Sequence, residues 1–250
     1  MLLKGDILIS IVQRMKLFSR LLKTKVITQT LKSEYSFKVF LTVKSPKIID
    51  ICNTMKLSLR LLSSTSMKFV TPSQYTKSNQ AHYIINTTAV NDFIKMNPKL
   101  GVNDRVLDFG CGTGETTLAI AQGNLGDLGH PGQVGSHHIP LFPKYNPLNF
   151  KVVGVDISED MISHCQQQHN LPSLSFQKLD VAQGDSFISS NKSSFSAVTS
   201  FSCLHWVPDM PATVSLFNKV LRQGGKFVFV VSPFLSSLTH LFFLLDCWNP

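Results

Sequence analysis

The chain has 250 residues, a length that suits one α/β domain with an appendage. Its five cysteines are scattered and include no C-x-x-C pair, which argues against a zinc site or a disulfide framework and fits a reducing compartment. The net charge of +9 is confined to residues 1–66, which hold 12 basic and 3 acidic residues, whereas residues 67–250 hold 12 of each. A neutral body of this kind gives no support for a nucleic-acid groove.

Residues 1–66 alternate apolar patches with basic and hydroxyl-bearing residues, and none of these patches is long enough to span a bilayer. One interpretation is a mitochondrial presequence, because the segment is basic and poor in acids. The favoured interpretation is sequence ahead of the true start, since organised sequence begins at Met67. We therefore expect residues 1–66 to be poorly ordered and the protein to be cytoplasmic, or mitochondrial if the segment is a presequence.

The next residues predict a helix that leads into a buried strand. Apolar residues recur at helical spacing over residues 81–96, and Pro98 follows. Residues 106–109 then predict a strand, and residues 116–122 predict a helix. Between strand and helix lies a turn with glycine at three alternate positions, so that no Cβ covers the backbone and a ligand can lie directly on it. The free N–H groups of the following helix point at the same place.

Strands and helices alternate through the rest of the chain. A strand at residues 151–156 ends in Asp156, and Ser158 caps the helix that follows. Further strands are predicted at residues 174–179, 195–201 and 227–231, with a helix at 208–222 that Gly224 and Gly225 end. This order predicts a mostly parallel sheet with helices on both faces.

Two stretches interrupt this pattern. Residues 123–149 are rich in Gly, Pro, His and Asn and predict a long inserted loop, whose histidines His130, His137 and His138 have no carboxylate or cysteine at ligand spacing and are interpreted as solvated. Residues 233–250 hold one apolar patch, 241–245, and predict no further strand. An open edge beside the fifth strand then indicates a truncated product.

The spacing of the glycines indicates which nucleotide the turn holds. A dinucleotide site needs G-x-G-x-x-G, but here the third glycine, Gly114, comes one residue early and Glu115 stands in its place. A P-loop is excluded because no Lys-Ser/Thr pair follows. Asp156 lies 42 residues beyond Gly114, and removing the 27 residues of the inserted loop leaves 15, close to the spacing expected of an acid that binds ribose hydroxyls.

The pattern over residues 106–231 resembles class I S-adenosylmethionine-dependent methyltransferases. Within that class, the stretch Ser200-Phe201-Ser202-Cys203-Leu204-His205-Trp206-Val207 is similar to the corresponding stretch of the juvenile hormone acid methyltransferase family, as is Tyr75 with Asn79-Gln80. The likeness covers about residues 67–232. It implies an α/β fold with a Rossmann-like class I methyltransferase sheet, here lacking its last strands, and S-adenosyl-L-methionine as the cofactor.

The resemblance also implies roles for single residues. Asp108 and the glycine backbone would hold the methionine portion of the cofactor, Asp156 would accept hydrogen bonds from the ribose, and Asp180 with Val181 would meet the adenine. The implied cofactor-binding set is Asp108, Gly110, Gly112, Gly114, Asp156, Ile157, Asp180, Val181 and Phe201. No metal ligand is implied.

Three residues are candidates for orienting the methyl acceptor. Trp206 would sit at the mouth of the acceptor pocket, and His82 takes the place of a glutamine that orients the acceptor in the resembling family. His205 is either a general base or a packed histidine. A small apolar carboxylic acid, fatty or sesquiterpenoid, is the expected acceptor; it is ionised at neutral pH and needs no strong base. The alternatives are another small-molecule acceptor, or an inactive cofactor-binding module.

Overall fold

The computed structural model describes residues 25–32, 37–45, 71–78, 86, 89, 90, 93, 94, 97, 100–122, 150–231 and 239–247. The strands are β1 (Lys25–Lys32), β2 (Phe37–Ser45), β3 (Arg105–Phe109), β4 (Lys151–Asp156), β5 (Leu174–Lys178), β6 (Phe195–Phe201), β7 (Leu221–Val231) and β8 (Thr239–Cys247). The helices are α1 (Pro72–Ser78), α2 (Glu115–Gln122), α3 (Glu159–Gln168), α4 (Asp185–Asn191) and α5 (Met210–Val220), with short 3-10 turns at Val181–Gln183 and Leu204–Trp206. Residues 86, 89, 90, 93 and 94 are also helical.

The strands form one sheet in the order β1-β2-β8-β7-β6-β3-β4-β5. The five strands β3 to β7 run parallel to one another. The chain crosses from β5 back to β6 on the far side of β3, so the strand order reverses beside β3. In open α/β sheets a ligand binds in the crevice at the carboxyl ends of the strands next to such a reversal. The topology therefore places the glycine turn, which follows β3, at the expected ligand edge.

Helices cover both faces of the parallel sheet, as predicted. Alternate residues of a strand point to opposite faces. On one face of the sheet, Val106 of β3 packs against the helical residues 89, 90, 93 and 94 and against Ile120 of α2. On the opposite face, the next residue, Leu107, packs against α4 and α5 through large side chains that include Phe217. Strands β3 and β4 are mostly apolar because both of their faces are buried.

Local sequence signals explain where two of the helices begin. The Ser158 side chain accepts a hydrogen bond from the N–H of Met161 and so caps α3, as predicted. Asp209 caps α5 in the same way through the N–H of Ala212. The predicted end of α5 is displaced: the helix ends at Val220, and β7 begins at Leu221 with a register shift against β6. Gly224, with φ +72°, lies in that irregular part of the strand rather than at the end of the helix.

Two sequence-based expectations need correction. Residues 239–247 form β8, antiparallel to β7, whereas no strand was predicted after β7. An unpaired strand edge leaves its N–H and C=O groups without partners. The apolar run 241–245 lies in β8, which pairs with this edge of β7. Residues 25–32 and 37–45, expected to be poorly ordered, form β1 and β2, and β2 pairs with β8. The edge that suggested a truncated product is thus paired in this structure.

The sequence pattern also missed the two shortest helices, α1 and α4, each of seven residues and without clear apolar periodicity. The inserted loop predicted at 123–149, with its three histidines, lies outside the described residues. Among the residues that are described, no helix has the length and apolar character to cross a membrane.

Candidate cofactor and acceptor site

The glycine turn after β3 is attached to the end of β4. The N–H groups of Gly110 and Cys111 both donate to the carbonyl of Val155, at 2.8 and 3.0 Å. The N–H of Gly112 donates to Oδ2 of Asp156 at 3.0 Å. Gly110, Gly112 and Gly114 have φ values of +74°, +54° and +86°, a region that glycine adopts without a steric penalty. The turn and Asp156 thus lie side by side, and their common role in binding a cofactor stays a prediction.

Asp156 is both a structural acceptor and a candidate ligand. Besides Gly112, its carboxylate accepts the N–H of Ser158 on Oδ1 at 2.9 Å. Burial raises the pKa of Asp156 above its usual value, against the lowering effect of these backbone hydrogen bonds. The Ile157 N–H also bonds to this carboxylate, and a carboxylate offers about four acceptor positions, so acceptor capacity remains for a hydroxyl group of a ligand.

Asp108 is more deeply buried than the resemblance suggested. Its side chain is 2% exposed, and its two oxygens accept the hydroxyls of Thr117 at 2.7 Å and Thr199 at 2.9 Å. Burial raises its pKa to about 6 despite these hydrogen bonds. Asp108 therefore ties α2 and β6 together beneath the turn, and direct contact with the cofactor remains a prediction.

Each of the three glycines lies against a side chain from another element. A Cβ on Gly110 would lie 2.1 Å from Sγ of Cys203, which follows β6. A Cβ on Gly114 would lie 2.7 Å from the His169 ring and 2.8 Å from Sγ of Cys165. A Cβ on Gly112 would lie 3.4 Å from the Tyr75 ring of α1. Sterics as well as φ therefore require glycine at Gly110 and Gly114.

Two large apolar side chains are exposed near the carboxyl ends of the strands. Ile157, directly after β4, is 50% exposed, and Trp206, in the 3-10 turn after β6, is 40% exposed. The backbone N–H of Trp206 donates to the carbonyl of Cys203. The thiol of Cys203 lies against Gly110, so the turn that carries Trp206 packs against the glycine turn. Exposed apolar groups beside a polar cradle are typical of a ligand site.

The remaining predicted cofactor residues lie at the same edge. Asp180 follows β5, where its side chain accepts the N–H of Ala182 at 2.9 Å and lines a cleft of about 380 Å³ beside α4. Val181 begins the 3-10 turn and is half-buried, and Phe201 ends β6 and is buried. Phe201 packs on the face of the sheet that α2 covers. Phe201 therefore contributes to the packing beneath the ends of the strands.

The thiols next to the turn are poor nucleophiles. Hydrogen bonding with Cys165 and burial raise the pKa of Cys111 well above its usual value. Desolvation also raises the pKa of Cys203. Since the thiolate is the reactive form, both residues act as small packing groups.

The structure adds residues that sequence analysis did not single out. Asn86, 6% exposed, accepts the hydroxyl of Ser202 at 3.2 Å and donates to Thr116 at 3.4 Å, and so joins the helix before β3 to the end of β6 and to the start of α2. Ser202 has φ +56°, which is rare outside glycine. Asn86 lies within the predicted helix, but nothing in the sequence distinguishes it from a solvated polar residue.

Some predicted acceptor residues cannot be placed. Asn79, Gln80 and His82, and the side chain of His205, lie outside the described residues. Within the described ranges, no group of three His, Cys, Asp or Glu side chains could hold a metal ion.

A five-stranded parallel sheet, a glycine turn after its first strand and an acid that ends the next strand are features of the Rossmann-like fold of class I S-adenosylmethionine-dependent methyltransferases. The family model described as a methyltransferase domain matches residues 81–248, and the chain belongs to this family. The cofactor of this class is S-adenosylmethionine.

Two relatives have low sequence identity to this chain and are longer than it. The chain is 30% identical to juvenile hormone acid O-methyltransferase of Bombyx mori over 125 residues, which cover 49% of this chain and 36% of that protein. It is 28% identical over 159 residues to the highly reducing polyketide synthase valA of Aspergillus terreus, covering 62% of this chain and 6% of the synthase. The chain thus spans little more than a third of the first relative and a small part of the second.

Solved structures that resemble the chain include the CurJ carbon methyltransferase, with 19% identity and a TM-score of 0.46 over 75% of this chain and 42% of that one. A geranyl diphosphate methyltransferase in complex with GPP and sinefungin has 17% identity and a TM-score of 0.41 over 58% and 45% of the two chains.

Proposed function

We propose that the chain binds S-adenosylmethionine on the glycine turn and catalyses transfer of its methyl group to the carboxylate of a small apolar acid. The observation that carries the proposal is the bond from the Gly112 N–H to Asp156, because it joins the open turn to the acid within one site. We also propose a cytoplasmic location, which fits the free cysteines Cys111, Cys165 and Cys203.

The residues present fit this cofactor. The glycine turn lets a ligand approach the backbone, the remaining acceptor capacity of Asp156 suits a ribose hydroxyl, and the exposed side chain of Ile157 suits the face of an adenine ring. When bound, the cofactor supplies a methyl group activated by a sulfonium charge. The protein has to hold that group in line with the acceptor oxygen and keep water away.

An ionised carboxylate is the acceptor that this site suits best. A carboxylate is already a nucleophile at neutral pH, so the protein needs no strong base. Trp206 offers an apolar wall on the turn attached to Gly110, which suits a fatty or sesquiterpenoid chain. The likeness to a juvenile hormone acid O-methyltransferase supports an acid acceptor.

The proposal is tested with the full chain, S-adenosylmethionine labelled in its methyl group, and three matched panels: apolar acids, the corresponding alcohols and the corresponding amines. We expect the label in base-labile methyl esters of the acids alone. Label in an alcohol or amine product would indicate another small-molecule acceptor. Cofactor binding without transfer to any panel member would indicate a cofactor-binding module and contradict the proposed reaction.

Exchanging Trp206 for alanine is expected to raise KM for the acid about tenfold, because the acid loses apolar contact area on the order of 50 Å². Binding of the cofactor should be unchanged. The matched control is Ile157→Ala, which removes the other exposed apolar side chain at this edge. It should weaken cofactor binding and leave the KM of the acid unaltered. Steady-state kinetics measure KM for the acid, and calorimetry measures cofactor binding. The same changes in both variants would refute the assignment of Trp206 to the acid and of Ile157 to the cofactor.

A further inference from the structure

Side chains at the end of α3 form hydrogen bonds with the glycine turn. His169, the residue that ends α3, has Nε2 2.9 Å from the carbonyl oxygen of Thr113. Cys165, four residues earlier and fully buried, donates its thiol to the carbonyl of Gly112 at 3.2 Å. Residues four apart lie on the same face of a helix, so one helix face bonds to two consecutive carbonyls of the turn. A carbonyl only accepts, so the His169 ring donates from Nε2.

These two bonds orient the N–H groups of the turn. In a trans peptide the C=O and the following N–H point in opposite directions. With the Gly112 carbonyl directed at α3, the N–H of Thr113 is directed away from α3. With the Thr113 carbonyl held by His169, the N–H of Gly114 is directed to the carbonyl of Cys111, with which it bonds at 3.0 Å. The two side chains therefore orient the N–H groups of Thr113 and Gly114.

The close approach of α3 also explains the early third glycine. Only a residue without Cβ admits the His169 ring and the Cys165 thiol at Gly114, where a Cβ would lie 2.7 and 2.8 Å from them. The His169 ring is held in turn by its contact with Phe176 of β5, at 6.0 Å between ring centroids. The backbone N–H of His169 bonds to the Cys165 carbonyl at 2.9 Å, which sets the position of the residue at the end of the helix.

We propose that His169 is a positioning residue for the cofactor: its hydrogen bond to Thr113 preorganises the glycine turn for binding S-adenosylmethionine, although the residue does not touch the cofactor. The inference rests on the proposed function. A turn that must be ordered at the moment of binding reduces affinity, whereas a turn ordered in advance does not.

The experiment measures S-adenosylhomocysteine binding by calorimetry, so no acceptor is needed. His169→Gln and His169→Met are compared in the full chain, since the two side chains are close in length and only glutamine can donate to the Thr113 carbonyl. We expect His169→Met to weaken binding roughly three- to tenfold, the usual effect of one hydrogen bond, and His169→Gln to stay within about twofold of wild type. His164→Met, on the same helix, is the matched control and should bind as wild type does.

Thermal unfolding of each variant separates affinity from folding. Equal affinity of wild type and His169→Met would overturn the inference. Equal losses in His169→Met and His169→Gln would overturn it as well, because packing rather than hydrogen bonding would then set the affinity. If wild type itself does not bind S-adenosylhomocysteine, the proposed function fails, and the inference fails with it.

Discussion

Asp156→Ala is expected to weaken binding of S-adenosylhomocysteine by about 100-fold, because hydrogen bonds to a charged acceptor contribute roughly 1.5–3 kcal/mol each. The substitution removes the acceptor positions proposed for the ribose hydroxyls. It also removes the carboxylate that accepts the Gly112 N–H and the Ser158 N–H, so the turn loses one of its links to β4. Isothermal calorimetry with the full chain measures the loss.

Two further variants make the Asp156 experiment specific. Asp156→Asn keeps the shape and one acceptor oxygen, and we expect a smaller loss, on the order of tenfold. Asp160→Asn removes an exposed acid from the first turn of α3, which follows Asp156, and should leave affinity unchanged. Wild-type affinity in Asp156→Ala would contradict the assignment of the ribose site.

Asp108→Asn is expected to change how stability depends on pH. Burial raises the pKa of Asp108 from its usual value of 3.8 to about 6, so the folded chain holds this proton more tightly than the unfolded chain. The contribution of the protonated carboxyl to stability is fully present below about pH 4 and is lost as the pH rises through about 6. With about 1.4 kcal/mol per pKa unit, the loss is roughly 3 kcal/mol.

The quantity to measure is the free energy of unfolding of Asp108→Asn minus that of wild type, from urea titrations between pH 4 and pH 8. This difference should rise by roughly 3 kcal/mol with pH, because asparagine cannot ionise, and groups common to both proteins cancel. Asp185→Asn, an exposed position at the start of α4, controls for the loss of one acidic side chain. A difference that stays constant with pH would refute the buried, protonated state of Asp108.

The parallel sheet was predictable because its signals are local. Buried strands are rich in apolar and β-branched residues, and β4 and β6 have the predicted bounds. The start of α3 was predictable from Ser158, whose side chain caps the helix wherever the helix packs. Strands β2 and β8 were not predictable, because they pair with each other across most of the length of the chain. Strand β1 was missed as well, and it pairs with β2. Their sequences lack the strand–helix alternation that marks the rest of the sheet.

The candidate site divides in the same way. Gly110, Gly112, Gly114 and Asp156 follow from the sequence, because glycine spacing and an acid at the end of a strand are conditions that a nucleotide-type ligand places on neighbouring residues. The family relationship of residues 81–248 agrees with that interpretation. What surrounds the turn could not be read in this way, since His169 and Asn86 reach the turn and its surroundings from other elements.

The sequence by itself thus determined the parallel strands β3 to β7, the glycine turn and the acid of β4, because each depends on residues close together in the chain. The tertiary structure decided how those parts act. It directed both Asp108 oxygens to threonines, Thr117 and Thr199, rather than to an open surface. It also placed the end of α3 against Gly114, so that the early third glycine is a packing requirement as well as a mark of the cofactor. Such contacts depend on the crossing of distant segments, which no local pattern records.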